Sequence, residues 1–182
     1  MTFVLASASP RRADLLRAAG FSFVVDPVAV DESPWPGEAP EAHVRRLARD
    51  KALAGRSRHP DTPVLGADTI VVLDGAILGK PRDDEDARQM LGRLSGRIHH
   101  VYTGVAVARR HEVADEVDVS AVTMAAWTDD EIAAYVESGE PRDKAGAYAI
   151  QGWAARRIDR IDGSWSGVVG LPIAVVHRLL IS

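Results

Sequence analysis

Residues 63–79 read PVLGADTIVVLDGAILG, and they decide the architecture. Residues 63–73 are the most strand-like run in the chain, Asp74-Gly75 is a hairpin signal, and residues 76–79 are a short return strand. Asp68 and Thr69 therefore sit on or beside a central strand. Downstream, residues 83–94 read as a helix with acidic side chains in its first turn and Gly96 after its end. Residues 98–108 and 112–124 read as two long strands around Arg110-His111. Thr128 to Glu131 form a capping box that opens a helix running to Ser138, with Gly139 as its stop. Residues 148–161 mix strand-like side chains with Gly152, Asp162-Gly163 turns the chain, and a terminal helix opens at Leu171-Pro172.

Upstream, residues 2–6 (TFVLA) read as a short buried strand leading into Ser7-Ala8-Ser9-Pro10-Arg11-Arg12. Ser9 is the expected N-cap and Pro10 the first helical residue, with Ala13, Leu15, Leu16 and Ala19 as the apolar stripe up to Gly20. Residues 21–27 read as a strand. Residues 30–40 hold Pro34, Pro36, Gly37 and Pro40 and read as a loop carrying Asp31 and Glu32. Residues 41–54 place Val44, Leu47, Ala48 and Leu53 at helical spacing, with Arg45, Arg46, Arg49 and Lys51 assigned to a basic face. Strands and helices alternate without a strict βαβ period, and hairpins join several neighbours. The expected fold is α/β of the α+β kind: an elongated, mixed, largely antiparallel sheet flanked by helices, not a doubly wound parallel sheet.

The chain has 182 residues and is 46% hydrophobic, enough for one domain spanning 1–182 with its own core, and no long Pro/Gly/Ser-rich linker interrupts it. A formal charge of −4 argues against sequence-independent binding to nucleic acid or an anionic membrane, which requires a net basic face. With no cysteine there is no disulfide, thiolate nucleophile or cysteine-based zinc site. No apolar run approaches the ~20 residues of a membrane span, and the N-terminus lacks a basic signal region, so a cytoplasmic protein is expected.

The chemistry starts at residues 7–12. Arg11 and Arg12 fall in a helix's first turn, where cations oppose the helix dipole at a cost of ~0.3–1 kcal/mol each unless an anion joins them to the free N–H groups. A phosphate cradle answers that conflict. An ordinary capped helix with two surface arginines answers it as well, and these six residues leave both readings open. Asp68 lies in a strand that is otherwise Val, Leu, Ile and Val, where a carboxylate is costly unless paired or metal-bound. Pro81 holds Lys80 extended, so Lys80 is expected to point back toward Asp68. Lys51 reads from pattern alone as a solvated lysine. Arg12 and Lys80 lie outside the core pattern and are expected to contribute charge, not stability. Gln151, next to Gly152, carries an amide able to read donors and acceptors on a nucleobase edge. The six histidines show no metal-ligand spacing.

Ser-x-Ser-Pro-Arg-Arg at 7–12, LARDK at 47–51, GADT at 66–69, GKP at 79–81, KAGAY at 144–148, IQG at 150–152 and VGLP at 169–172 together resemble the Maf family of nucleoside triphosphate pyrophosphatases. The likeness spans nearly the whole chain. It implies hydrolysis of a nucleoside triphosphate to monophosphate and pyrophosphate with a divalent cation, Mg²⁺ or Mn²⁺, in a cleft between two lobes of an inosine triphosphatase-like fold. Carried over residue by residue, the resemblance puts the proton acceptor on Asp68 and substrate discrimination on Arg12, Thr69 and Gln151. It puts phosphate contacts on Ser7, Ser9, Arg11, Arg12, Lys51 and Lys80, and the metal end of the site on Glu32 with Asp68. The Arg, Thr and Gln combination is similar to the dTTP/UTP-hydrolysing branch. Ala149 and the run Trp153 to Arg157 depart from that branch and flank Gln151. A house-cleaning pyrophosphatase for modified nucleotides is the enzymatic alternative, and a nucleotide-sensing regulator of cell division is the non-enzymatic one. The expected partner is the nucleoside triphosphate, with neither nucleic acid nor membrane, and with a homodimer left open.

Overall fold

The computed structural model describes residues 2–181. A seven-stranded sheet is ordered β2-β1-β3-β5-β6-β7, with β4 paired to β3 beside β1. The strands are β1 (Thr2–Leu5), β2 (Ser22–Val25), β3 (Val64–Leu73), β4 (Ala76–Leu78), β5 (Ile98–Ala108), β6 (Val113–Met124) and β7 (Ile158–Asp162). β1 pairs in parallel with β2 and β3, and every other pairing is antiparallel, as the hairpin signals require. The helices are α1 (Pro10–Ala18), α2 (Pro40–Arg58), α3 (Asp84–Leu94), α4 (Asp129–Glu137), α5 (Trp165–Val169) and α6 (Ile173–Ile181). Among the described residues no helix is long and apolar enough to cross a membrane.

Because successive strand residues face opposite ways, β3 divides its side chains between two layers. Val64, Ile70 and Val72 lie on the side of α2, where Ile70 and Val72 pack with Val44. On the other face, Leu65 and Ala67 join a core built with α1 and α6, while Val71 and Leu73 join a second core built with α3 and α4. The parting between these cores falls at Thr69. The edge of β3 has a matching gap: β1 covers it at Val64 and Leu65, β4 covers it at Val71 to Leu73, and the opposite edge pairs with β5 from Val64 to Val72. Residues 66–70 therefore line a notch in the sheet that opens to both faces.

Two glycines set the height of α2 above this notch. A Cβ on Gly66 would stand 2.3 Å from the Ala48 carbonyl oxygen and 2.5 Å from the Ala52 nitrogen, and one on Gly104 would stand 2.3 Å from the Val44 carbonyl oxygen. The helix main chain rests directly on the main chain of β3 and β5, an approach only glycine permits. The buried stripe of α2 is Val44, Leu47, Ala48, Lys51, Ala52 and Gly55, at helical spacing.

The expectation for residues 148–161 is corrected. Strand appears only from Ile158, and the chain before it is wound in short 3₁₀ turns, Glu140–Asp143, Ala145–Ala147 and Trp153–Arg157. Gly146 at φ 68° and Ala147 at φ 59° break any extended path into Tyr148, and the bulky side chains of Tyr148 and Trp153 pack into the α3–α4 core instead. Strand propensity at those aromatics yields to tertiary packing.

Candidate active site

A cleft of about 580 Å³ occupies the notch and is lined by residues 6–12, Glu32, Lys51, Asp68, Thr69, Gly79, Lys80 and residues 148–151, among others. Every site residue marked in the sequence is on this wall. Their partners differ from the expectations in three places.

The first concerns Lys51. It is buried on the apolar stripe of α2, not solvated, and its ammonium donates to Asp68 Oδ1 at 2.7 Å and to Glu32 Oε1 at 2.5 Å. Glycine contact at Gly66 lowers α2 until Lys51 stands over Asp68 two residues along the same strand face. Lys80, exposed beyond β4, forms no ion pair with Asp68 and none with any other described residue, and it acts on the Glu32 carboxylate only through its field. Partial burial raises the Glu32 carboxyl, but the Lys51 hydrogen bond and the charges of Lys51, Lys80 and Arg12 outweigh it and hold Glu32 below its ordinary value.

The second concerns Arg12, which is buried and not a surface cation. Its Nε donates to the Gly170 carbonyl at 2.8 Å, Nη1 to the Ala67 carbonyl at 2.9 Å and Ser7 Oγ at 3.1 Å, and Nη2 to Thr69 Oγ1 at 3.1 Å. The Ala67 carbonyl is one that the strand gap leaves open. Of the five guanidinium N–H donors, one on Nη2 has no protein acceptor among the described residues and is free for a ligand. Burial lowers the Arg12 pKa and the Asp68 charge opposes that, but a guanidinium stays ionised throughout the working range. Thr69 Oγ1 also lies 3.0 Å from Thr103 Oγ1, whose own proton goes to the Gly167 carbonyl at 2.9 Å. Thr69 is thereby engaged in seating Arg12.

The third concerns Ser9. It occupies the N-cap of α1, but its side chain makes no capping bond, and its own N–H is held by Ser7 Oγ at 3.2 Å. The first turn has no acidic residue and Pro10 has no N–H, so the helix terminus keeps main-chain donors for an anion. Arg11 stands at the cleft wall, bridged to Asp143 Oδ2 at 3.3 Å. Gln151 is exposed, and its amide bonds to no other described residue.

A group not marked in the sequence ties down the loop that brings Glu32 in. Glu38 accepts from Arg46 Nε at 2.7 Å and Nη2 at 2.8 Å, from the Trp35 N–H at 3.1 Å, and contacts His43 Nδ1 at 2.8 Å. The Arg46 guanidinium also lies 4.3 Å from the Trp35 ring centre. The signal was present as Glu38 and Arg46, eight apart across a helix start, but ion pairing at that distance has no local pattern. Arg46 above all, against the opposing effect of burial, holds the Glu38 carboxyl down at about 2 from 4.5. A carboxyl whose folded pKa is depressed stabilises the fold above its unfolded value and loses that contribution as pH falls. The stability difference between wild type and Glu38→Gln should therefore shrink as pH drops from 4.5 toward 2 in urea titrations. A difference that does not change with pH would show that Glu38 is not held as an anion.

A Methylobacillus flagellatus protein named dTTP/UTP pyrophosphatase is 52% identical over 178 residues, covering 97% of this chain and 89% of that protein. A protein of the same name from Myxococcus xanthus is 54% identical over 177 residues, covering 97% and 90%. One from Koribacter versatilis is 48% identical over 180 residues, covering 99% and 93%. The solved structure of the Staphylococcus aureus Ham1 protein superposes with a TM-score of 0.49 at 16% identity, over 69% of this chain and 72% of that one. The family model described as Maf-like protein matches residues 2–182, end to end across the notch and its walls, and the chain belongs to that family.

Proposed function

We propose that this protein hydrolyses dTTP and UTP to the nucleoside monophosphate and pyrophosphate. The observation that carries the reading is the Lys51 ammonium holding Asp68 and Glu32 together at one end of a cleft whose wall is the cation-rich start of α1. Relatives at 48–54% identity that bear the name dTTP/UTP pyrophosphatase support the same substrate.

Cleavage at the α-phosphorus needs a water, a group to take its proton, and positive charge for the pyrophosphate that leaves. Asp68, with Glu32 beside it, supplies the anionic oxygens that orient the water and accept its proton. Arg11, Lys80, the Ser7 and Ser9 end of the loop, the open α1 amides and the last Arg12 N–H hold the triphosphate. Lys51 keeps the two carboxylates together. Two carboxylates on one cation are a hard-oxygen donor set that suits Mg²⁺ or Mn²⁺, which bind through one or two carboxylates together with substrate phosphates. Glu32 and Asp68 would hold such an ion, which when bound supplies charge neutralisation at the phosphates. Gln151, without a side-chain partner among the described residues, reads the carbonyl and imide N–H of uracil or thymine. The proposed substrate pool is that of the cytoplasm.

The test is pyrophosphate release from UTP, dTTP, ATP, GTP, 7-methyl-GTP and base-modified triphosphates, with and without Mg²⁺ or Mn²⁺. UTP and dTTP should lead, and Gln151→Ala should narrow their lead by about tenfold to a hundredfold while sparing release from ATP and GTP. Preference for a purine, or for a modified base over UTP, would replace the proposed substrate. Equal loss on every nucleotide would assign Gln151 to the catalytic end.

A further inference from the structure

Because the Gln151 side chain has no partner among the described residues, its place in the cleft is set by the main chain that carries it. That main chain is neither strand nor α-helix. It runs from Ala147 at φ 59° through a turn closed by the Gly152 N–H on the Ala149 carbonyl at 3.2 Å, and then into a 3₁₀ turn. Such a segment needs an anchor from outside.

Two side chains supply one at both of its ends. The Tyr135 hydroxyl accepts the Ala149 N–H at 3.1 Å and donates to Glu140 Oε1 at 2.9 Å. The other oxygen of Glu140, Oε2, accepts the Trp153 N–H at 3.3 Å. Between them the chain passes so close that a Cβ on Gly152 would stand 2.0 Å from Glu140 Oε1. The Trp153 ring stacks on Tyr135 at 5.3 Å and 18°, and Trp127 packs against both rings, 5.3 Å from Tyr135 and 5.2 Å from Trp153. Tyr135 is fully buried on α4, whose start is fixed by the Thr128–Glu131 capping box. Burial pushes the Tyr135 hydroxyl's pKa up, the Ala149 N–H opposes that, and the Glu140 carboxylate adds to the rise, so the hydroxyl remains a donor to Glu140 at every working pH.

We infer that Tyr135 and Glu140 are positioning residues that latch residues 149–153 and thereby set nucleotide selectivity from outside the cleft. Neither residue lines the cleft; both act through the Ala149 and Trp153 amides on the residue between them. The inference rests on the proposed role of Gln151. Asp68, Lys51 and Glu32 belong to β3, α2 and the loop before α2, so the latch touches none of the groups that perform the hydrolysis.

The experiment combines steady-state kinetics on UTP and ATP with amide hydrogen exchange of residues 149–153, for wild type, Tyr135→Phe, Glu140→Gln and Glu140→Ala. Tyr135→Phe should raise the KM for UTP about tenfold, since one misplaced hydrogen-bonding pair is lost, with kcat within about twofold and ATP kinetics little changed. Exchange at Ala149 and Trp153 should accelerate in the same variant. Glu140→Gln keeps one acceptor oxygen and should fall between wild type and Glu140→Ala. Should Tyr135→Phe prove poorly folded, the Glu140 pair decides, because Glu140 is only half-buried. Unchanged exchange, or an equal loss on UTP and ATP, would overturn the latch. A wild-type enzyme preferring another nucleotide would overturn the proposed substrate alone: accelerated exchange together with selective loss on that preferred nucleotide would still establish the latch.

Discussion

Asp68→Asn should fold, bind nucleotide and lose at least ~100-fold in turnover. The substitution keeps the shape and a carbonyl oxygen for Lys51, and it removes the negative charge and proton affinity that the water requires. Lys51 is not left as an unpaired buried cation, because Glu32 still holds it at 2.5 Å. The melting temperature should accordingly stay near that of wild type while single-turnover pyrophosphate release collapses. A folded Asp68→Asn protein with wild-type turnover would exclude Asp68 from the chemistry and transfer the role to Glu32. A large drop in melting temperature would show that the Lys51–Asp68 contact is chiefly a fold element.

Arg12→Ala should be the most damaging single change to the scaffold. Pattern places Arg12 at the surface, but its removal strands the Ala67 and Gly170 carbonyls in the interior and frees Ser7 and Thr69 from their shared donor. Each buried acceptor left unsatisfied costs ~1–3 kcal/mol, so a loss of about 3–5 kcal/mol is expected. In a chain of this size that corresponds to a melting temperature lower by roughly 10 °C or more. Activity should fall with it, since Ser7 and Thr69 lose their placement. Arg12→Lys should rescue little, because one ammonium cannot reach acceptors arranged around a planar fork. A melting temperature within about 2 °C of wild type would return Arg12 to the class of simple phosphate cations.

The contrast between these two residues shows what the sequence makes legible. The hairpin at residues 73–76, the capping box at Thr128 and the acidic start of α3 are local signals, and the structure has each where the spacing puts it. Asp68 was conspicuous because a carboxylate in an apolar strand demands an explanation. Lys51 was legible too, since it shares its stripe with Val44, Leu47, Ala48, Ala52 and Gly55, but its charge drew it to the basic face. Arg12 could not be read in this way. Three of its four acceptors come from residues 67, 69 and 170, and a guanidinium that gathers distant acceptors leaves no periodic trace. The Tyr135–Glu140 latch is hidden for the same reason: Tyr135 looks like one more apolar position on α4, and its hydroxyl acquires meaning only when residues 149 and 153 arrive.

Gly66 and Gly104 have a consequence for how such an enzyme can diverge. Where two helices or a helix and a sheet meet through side chains, compensating substitutions let the spacing drift over generations. Here the spacing between Lys51 and Asp68 is set by main chain resting on main chain, and no exchange of side chains can adjust it gradually. The half of the cleft that holds Lys51 and Asp68 is thereby locked against incremental change. The half that carries Gln151 hangs on side-chain contacts from Tyr135, Glu140 and Trp153, which can be traded one at a time. With Gln151 in the role proposed above, new nucleotide preferences arise by remodelling one wall while the other is inherited unaltered.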